Sequence, residues 1–93
     1  MTSRYYIYIL FSLKDKKLYT GFTADLKNRL TQHTQGGVRS TKDRLPVKLI
    51  HYEYFVDKSD AKAREVFLKS GFGRNELKKC LRKTLENVNY KFV

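Results

Sequence analysis

From Tyr5 to Phe11 apolar residues occupy both alternating faces of an extended chain, Tyr6, Tyr8 and Leu10 on one and Ile7, Ile9 and Phe11 on the other. That is the pattern of a central strand covered on both sides. Leu13-Lys14-Asp15-Lys16-Lys17 interrupts it with a polar turn, and Leu18 to Phe22 resumes the β-prone run, which predicts a hairpin. A turn centred near Leu13 and Lys14 would set Tyr8 opposite Tyr19. Thr23 is a good N-cap, Asp25 suits a first helical turn, and Leu26, Leu30 and His33 recur at helical spacing before Gly36-Gly37, so a helix is expected over roughly 24–35.

Residues Val38 to Leu45 are basic and hydroxyl-rich without clear period, an exposed positive loop. Pro46 leads into a third strand, Val47 to Val56. Ser59 can cap a second helix from about Asp60, with Ala63, Val66 and Phe67 as its inward stripe and Gly71 as its break. After Gly73, Leu77, Cys80, Leu81, Thr84, Leu85 and Val88 follow helical spacing, and Lys78, Lys79, Arg82 and Lys83 line the opposite side. The fold class that results is α/β in the α+β sense, a small three-stranded antiparallel sheet flanked by helices in the order β-β-α-β-α-α. With no repeat or linker, residues 1–93 are expected to form a single domain, whose core is modest at this length.

Charge changes the picture most. Twenty Lys and Arg stand against nine Asp and Glu, a formal net charge of +11. Such an excess repels itself in the folded state unless a polyanion offsets it, so nucleic acid is the leading partner. Cys80, the one cysteine, can form no internal disulfide, and its place in an apolar stripe suggests a small buried hydrophobe in a reducing compartment. No apolar run approaches the roughly 18 residues needed to span a bilayer, and the first residues lack a signal-peptide core. A soluble, cytoplasmic chain without membrane contact is expected.

Few residues carry chemistry. Arg29 and His33 are four apart, adjacent on one edge of their helix, and can act at one place. Tyr8 and Tyr19 read as strand aromatics on β-propensity. Gly21, on the strand face of Tyr19, has no side chain to pack and marks close approach by another backbone or a ligand such as a phosphate. Glu65 lies beside the apolar stripe of its helix, a place equally suited to a surface salt bridge. A lone carboxylate is a poor cage for zinc or calcium but suits magnesium, which keeps several waters and shares substrate phosphate. Neither zinc-finger spacing nor a P-loop is present.

Tyr6-Ile7-Tyr8, Tyr19-Thr20-Gly21, then Arg29, His33 and Glu65 in this order resemble the GIY-YIG nuclease superfamily, specifically its small single-domain bacterial members, over almost the whole chain. The resemblance implies a three-stranded antiparallel sheet with helices around it and a metal-dependent phosphodiesterase site on one face. By position Tyr8 and Tyr19 match the family's active-site tyrosines, Arg29 its arginine, His33 its histidine or tyrosine one turn on, Glu65 its metal-binding glutamate and Gly21 its motif glycine. In that reading Tyr19 is the general base with Tyr8 beside it, Arg29 clamps the phosphate, His33 orients a tyrosine or water, and Glu65 holds Mg2+ or Mn2+. A free tyrosine, with pKa about 10, is a poor base, which Arg29 and a metal would improve. The sequence departs from the pattern at Tyr6, in place of the first motif glycine, at Thr20, in place of isoleucine, and at Ser40, where relatives often carry a further tyrosine or histidine.

The expected activity is hydrolysis of phosphodiester bonds in DNA rather than RNA, on branched or damaged structures in repair or recombination, with room for a larger protein partner that supplies specificity. Lys42 and Arg44 in the loop, with Lys14, Lys16 and Lys17 in the hairpin turn, are the candidate nucleic-acid contacts. Two other readings compete: a nuclease-like scaffold that binds without cutting, and a structural ribosome- or RNA-associated protein suggested by size and charge alone.

Overall fold

The structure, a computed structural model, describes residues 3–92. Strands β1 (Tyr5–Ser12), β2 (Leu18–Thr23) and β3 (Val47–Phe55) form one antiparallel sheet in the order β2-β1-β3. Helix α1 (Leu26–Thr34) follows β2, a 3-10 turn at Lys42–Arg44 precedes β3, and α2 (Lys58–Lys69), α3 (Gly71–Cys80) and α4 (Arg82–Asn87) complete the chain. The order β-β-α-β-α-α stands, with the last expected helix divided at Leu81. Val93 lies outside the described residues.

β1 is central, as its two apolar faces require, and Ile7 to Ser12 are all buried. Ile7 and Ile9 join Ala61, Leu68, Leu77, Leu81 and Leu85 in the core under α2 to α4. The opposite face carries Tyr8 beneath α1, whose His33 is fully buried. Each large apolar side chain so enclosed contributes about 1.5–3 kcal/mol relative to exposure.

The hairpin register differs from expectation. Tyr8 pairs with Gly21, and Tyr19 pairs with Leu10. The turn is centred between Lys14 and Asp15 rather than Leu13 and Lys14, because Ser12 closes it: its amide bonds Lys17 O at 3.0 Å, and its hydroxyl accepts from the amides of Lys14 and Asp15. Lys16 takes the left-handed conformation that completes the turn. A shift of two residues preserves the strand face, so both tyrosines stay on the α1 side.

The helix caps also move. Asp25, not Thr23, caps α1 by accepting from the Asn28 amide at 3.1 Å, while Thr23 accepts from the Asp25 amide in the preceding turn. Asp57 replaces Ser59 as the cap of α2. The inward stripe of α2 is Ala61 and Leu68, joined by the expected Phe67, which is partly buried against the core, with Ala63 and Val66 exposed. Periodicity missed it because the sheet-facing side also includes Arg64 and Glu65, whose charges are paired. Arg64 donates to both carboxylate oxygens of Glu53 on β3, at 2.8 and 3.2 Å, and His51 meets the same carboxylate at 3.0 Å.

α2 ends at Ser70 rather than at Gly71. Ser70 caps α3 through the Gly73 amide, and a Cβ at buried Gly73 would overlap the Phe67 carbonyl, so the glycine admits a sharp helix junction. Cys80 is exposed, contrary to expectation. The buried line runs Leu77, Leu81, Leu85, and the helix break at Leu81 leaves Cys80 off that line.

Candidate active site

Four of the expected residues meet on the α1 face of the sheet. The Tyr8 hydroxyl is 2.9 Å from His33 Nε2, and Arg29 Nε lies 3.4 Å from the same oxygen. Residues 29 and 33 meet one oxygen because four positions along a helix return to nearly the same side. The rings of Tyr8 and Tyr19 are 6.3 Å apart, and His33 packs edge-on against both, at 5.5 and 5.4 Å.

The donor inventory orders this cluster. Arg29 can only donate, so the Tyr8 oxygen accepts from its Nε–H and turns its own hydrogen toward His33 Nε2. A neutral His33 then carries its hydrogen on Nδ1 and donates it to Thr41 Oγ1, 2.6 Å away. Burial and the positive charge of Arg29 both lower the His33 pKa, which favours that neutral form. Burial raises the Tyr8 pKa against the opposing hydrogen bond from Arg29, with the Tyr19 phenol adding to the rise. Arg29 acts on Tyr8 in the expected direction, downward, but burial outweighs it and the net shift is upward. Tyr8 is therefore a protonated link, and half-buried Tyr19 is the phenol at the open side of the cluster.

Thr41 escaped the sequence reading, which looked for an aromatic at the neighbouring position. Ser40 is exposed, whereas Thr41 is fully buried against His33. The only signal was a hydroxyl beside Ser40 in a loop without period. Gly21 also has a different reason from the one expected. A Cβ there would overlap the Cζ and hydroxyl of Tyr8, so the space is filled by the phenol itself rather than by a phosphate or another backbone.

Glu65 stands apart from this cluster. Its carboxylate is mostly enclosed on α2 and paired with Lys62 at 3.5 Å and Lys69 at 3.1 Å. Lys62 also lies over the Phe22 ring of β2, at 4.1 Å, which sets this charged row along the β2 edge of the sheet. Among the described residues no group of three or more His, Cys, Asp or Glu side chains gathers as a metal cage. A lone carboxylate would hold a hydrated magnesium or manganese ion only with water and substrate as the other ligands, and here both of its oxygens face lysine ammoniums that such an ion would displace.

The expected nucleic-acid contacts divide. Lys14, Lys16, Lys17 and Lys42 are exposed. Arg44 is engaged: its Nε donates to Asp15 at 2.8 Å and Nη2 reaches Leu18 O at 3.5 Å. The loop is further fastened to the hairpin by Ser12 Oγ donating to Arg44 O at 2.6 Å and by the Leu13 amide donating to Pro46 O at 2.8 Å. Beside Tyr19, the outer edge of β2 borders a cleft of about 580 Å3 that reaches Lys69, Arg74 and Tyr90, none of them singled out in sequence.

No helix among the described residues is long and apolar enough to cross a membrane. The chain is 38% identical over 86 residues to a UPF0213 protein of Clostridium perfringens, covering 91% of both, and 43% identical over 76 residues to UPF0213 proteins of Streptococcus pyogenes, covering 81% of this chain and 82% of the relative. The solution NMR structure of a UPF0213 protein from Bacillus halodurans matches with a TM-score of 0.53 and 32% identity, over 83% of this chain and 84% of that one. The model of the GIY-YIG catalytic domain matches residues 4–79, which contain the tyrosine, arginine and histidine cluster and Glu65. With this fold and match, the chain belongs to the GIY-YIG nuclease superfamily, among small bacterial UPF0213 proteins.

Proposed function

We propose that this chain is a divalent-metal-dependent endonuclease that hydrolyses phosphodiester bonds in DNA, acting on branched or damaged structures in the cytoplasm as one domain, with specificity supplemented by a larger protein partner. The observation that carries this reading is the Tyr8 hydroxyl held between Arg29 and His33 with Tyr19 at the open side. Tyr19 takes the proton of an attacking water in this reading. Tyr8 and His33 fix the orientation of that ring and carry hydrogen-bond polarisation toward Thr41. Arg29 supplies the cation for the equatorial phosphate oxygens. Glu65 would hold the Mg2+ or Mn2+, which when bound stabilises charge on the leaving oxygen.

Labelled branched, nicked, single-stranded and duplex DNAs, incubated with and without magnesium, test the reading. Cleavage should require the metal and should fall by at least about 100-fold in Tyr19→Phe and in Glu65→Ala. Wild-type rates in both variants would refute the site. The pairing of Glu65 with two lysines favours a second reading, a module that binds nucleic acid without cutting. Retained affinity with no turnover on every substrate would select it.

A further inference from the structure

The cleft along the outer edge of β2 has two kinds of wall. Lys17, Arg44, Lys69 and Arg74 line it; Arg44 is paired with Asp15 at 2.8 Å and Lys69 with Glu65 at 3.1 Å, which leaves Lys17 and Arg74 as its cations outside these pairs. Leu18, Leu77 and Tyr90 make the rest apolar. The Tyr90 ring packs edge-on with Phe11, at 6.4 Å, and with Phe92, at 5.2 Å, has Lys78 Nζ 5.5 Å from its centre, and is partly covered. Tyr19 borders the same cleft, which joins it to the side of the cluster where substrate would enter.

A purely phosphate-binding surface needs no aromatic wall, and a pocket for an apolar ligand would not set Lys17 and Arg74 on its rim. The volume, about 580 Å3, lies in the range of sites for small organic ligands and exceeds the need of a bare anion. We propose that this cleft receives one nucleotide of the substrate strand adjoining the bond that is cut, its phosphate against Lys17 and Arg74 and its base against Tyr90. The assignment rests on the nuclease reading for its position in the strand. The recognition itself, an anion beside a ring that can stack on any base, rests on the cleft alone.

Amide chemical-shift mapping of the intact chain tests it with three probes: inorganic phosphate, a deoxynucleoside 5′-monophosphate and a short single-stranded oligonucleotide. The monophosphate should shift the amides of Lys17 to Thr20, Arg74 to Leu77 and Tyr90, and leave those of Asn28 to His33 unchanged. Arg74→Gln, at an exposed side chain, should weaken monophosphate binding at least about fivefold. Tyr90→Leu should weaken it about tenfold while leaving inorganic phosphate unaffected, and Tyr90→Phe should restore it. The oligonucleotide should shift the same amides at lower concentration. Shifts scattered over the basic surface, an unaltered Arg74→Gln, or a monophosphate that binds more tightly than the oligonucleotide would overturn the proposal. Mapping to this cleft by a protein that cleaves no DNA would sustain the cleft and reject the enzyme, and cleavage without such mapping would do the reverse.

Discussion

The phenol oxygen of Tyr8 stands 2.9 Å from Nε2 of His33, and neither side chain is exposed to solvent. Tyr8→Phe would therefore strand a buried ring nitrogen, at a cost of about 1–3 kcal/mol. The melting temperature should fall by about 4–8 °C for each kcal/mol lost. Tyr19→Phe, at a half-buried phenol, should cost less than about 1 kcal/mol, within the range for one ordinary hydrogen bond. Thermal unfolding of the two variants side by side checks the division: Tyr8 loses stability, Tyr19 loses turnover.

Gly21→Ala should destabilise the chain by about 1–3 kcal/mol, because the new methyl overlaps the end of the Tyr8 ring. In a Tyr8→Leu background the obstructing ring end is gone. The same glycine substitution should then cost little, and denaturant titration of all four proteins would show the two changes to be strongly non-additive. Additive costs would mean that the glycine serves something other than the tyrosine.

The His33 pKa is lowered by burial and by Arg29, so the folded chain binds fewer protons at this site than the unfolded chain. The contribution is complete above the unfolded value of about 6.5 and declines as pH falls through that value toward the lower folded one. Stability should drop between pH 7 and 5.5 in the wild type and change less over that range in His33→Gln. The Glu53 carboxylate, pushed up by burial but held lower overall by Arg64 and His51, loses its contribution only in the more acid range below its ordinary value. Denaturant midpoints at half-unit pH steps separate the two windows.

If DNA is the ligand, Lys42→Ala should reduce the slope of log K against log salt by about 0.9, the release expected for one phosphate contact. Arg44→Ala should change the slope less, since that guanidinium is already spent on Asp15. Fluorescence anisotropy across a salt series distinguishes them. Equal slopes in the two variants would contradict the division between free and engaged cations.

The sheet, its central strand and the family were legible because β1 is apolar on both faces and the motif residues stand in order. The meeting of Arg29 with His33 was legible from helical spacing alone. The register was not, since it depends on the Ser12 hydroxyl closing the turn, a contact between positions with no periodic signal. Thr41 was hidden for a related reason: its burial comes from a loop fastened to the hairpin by Ser12, Asp15 and Arg44, residues that read separately as polar surface. The face of α2 was misread because Arg64 and Glu65 occupy half-covered positions, and their partners on β3 and along the helix make charge tolerable there.

β1 has a consequence for how such a chain tolerates mutation. Six successive residues, Ile7 to Ser12, are closed off from solvent, some holding the core, some the phenol cluster, and the last the turn. A saturation library should be depleted at every one of these positions for different reasons, whereas exposed apolar sites such as Val66 and Phe72 should accept most replacements. Variation in this protein is thus channelled to its helices, and its shortest path to a changed activity runs through residues that approach the strand from outside.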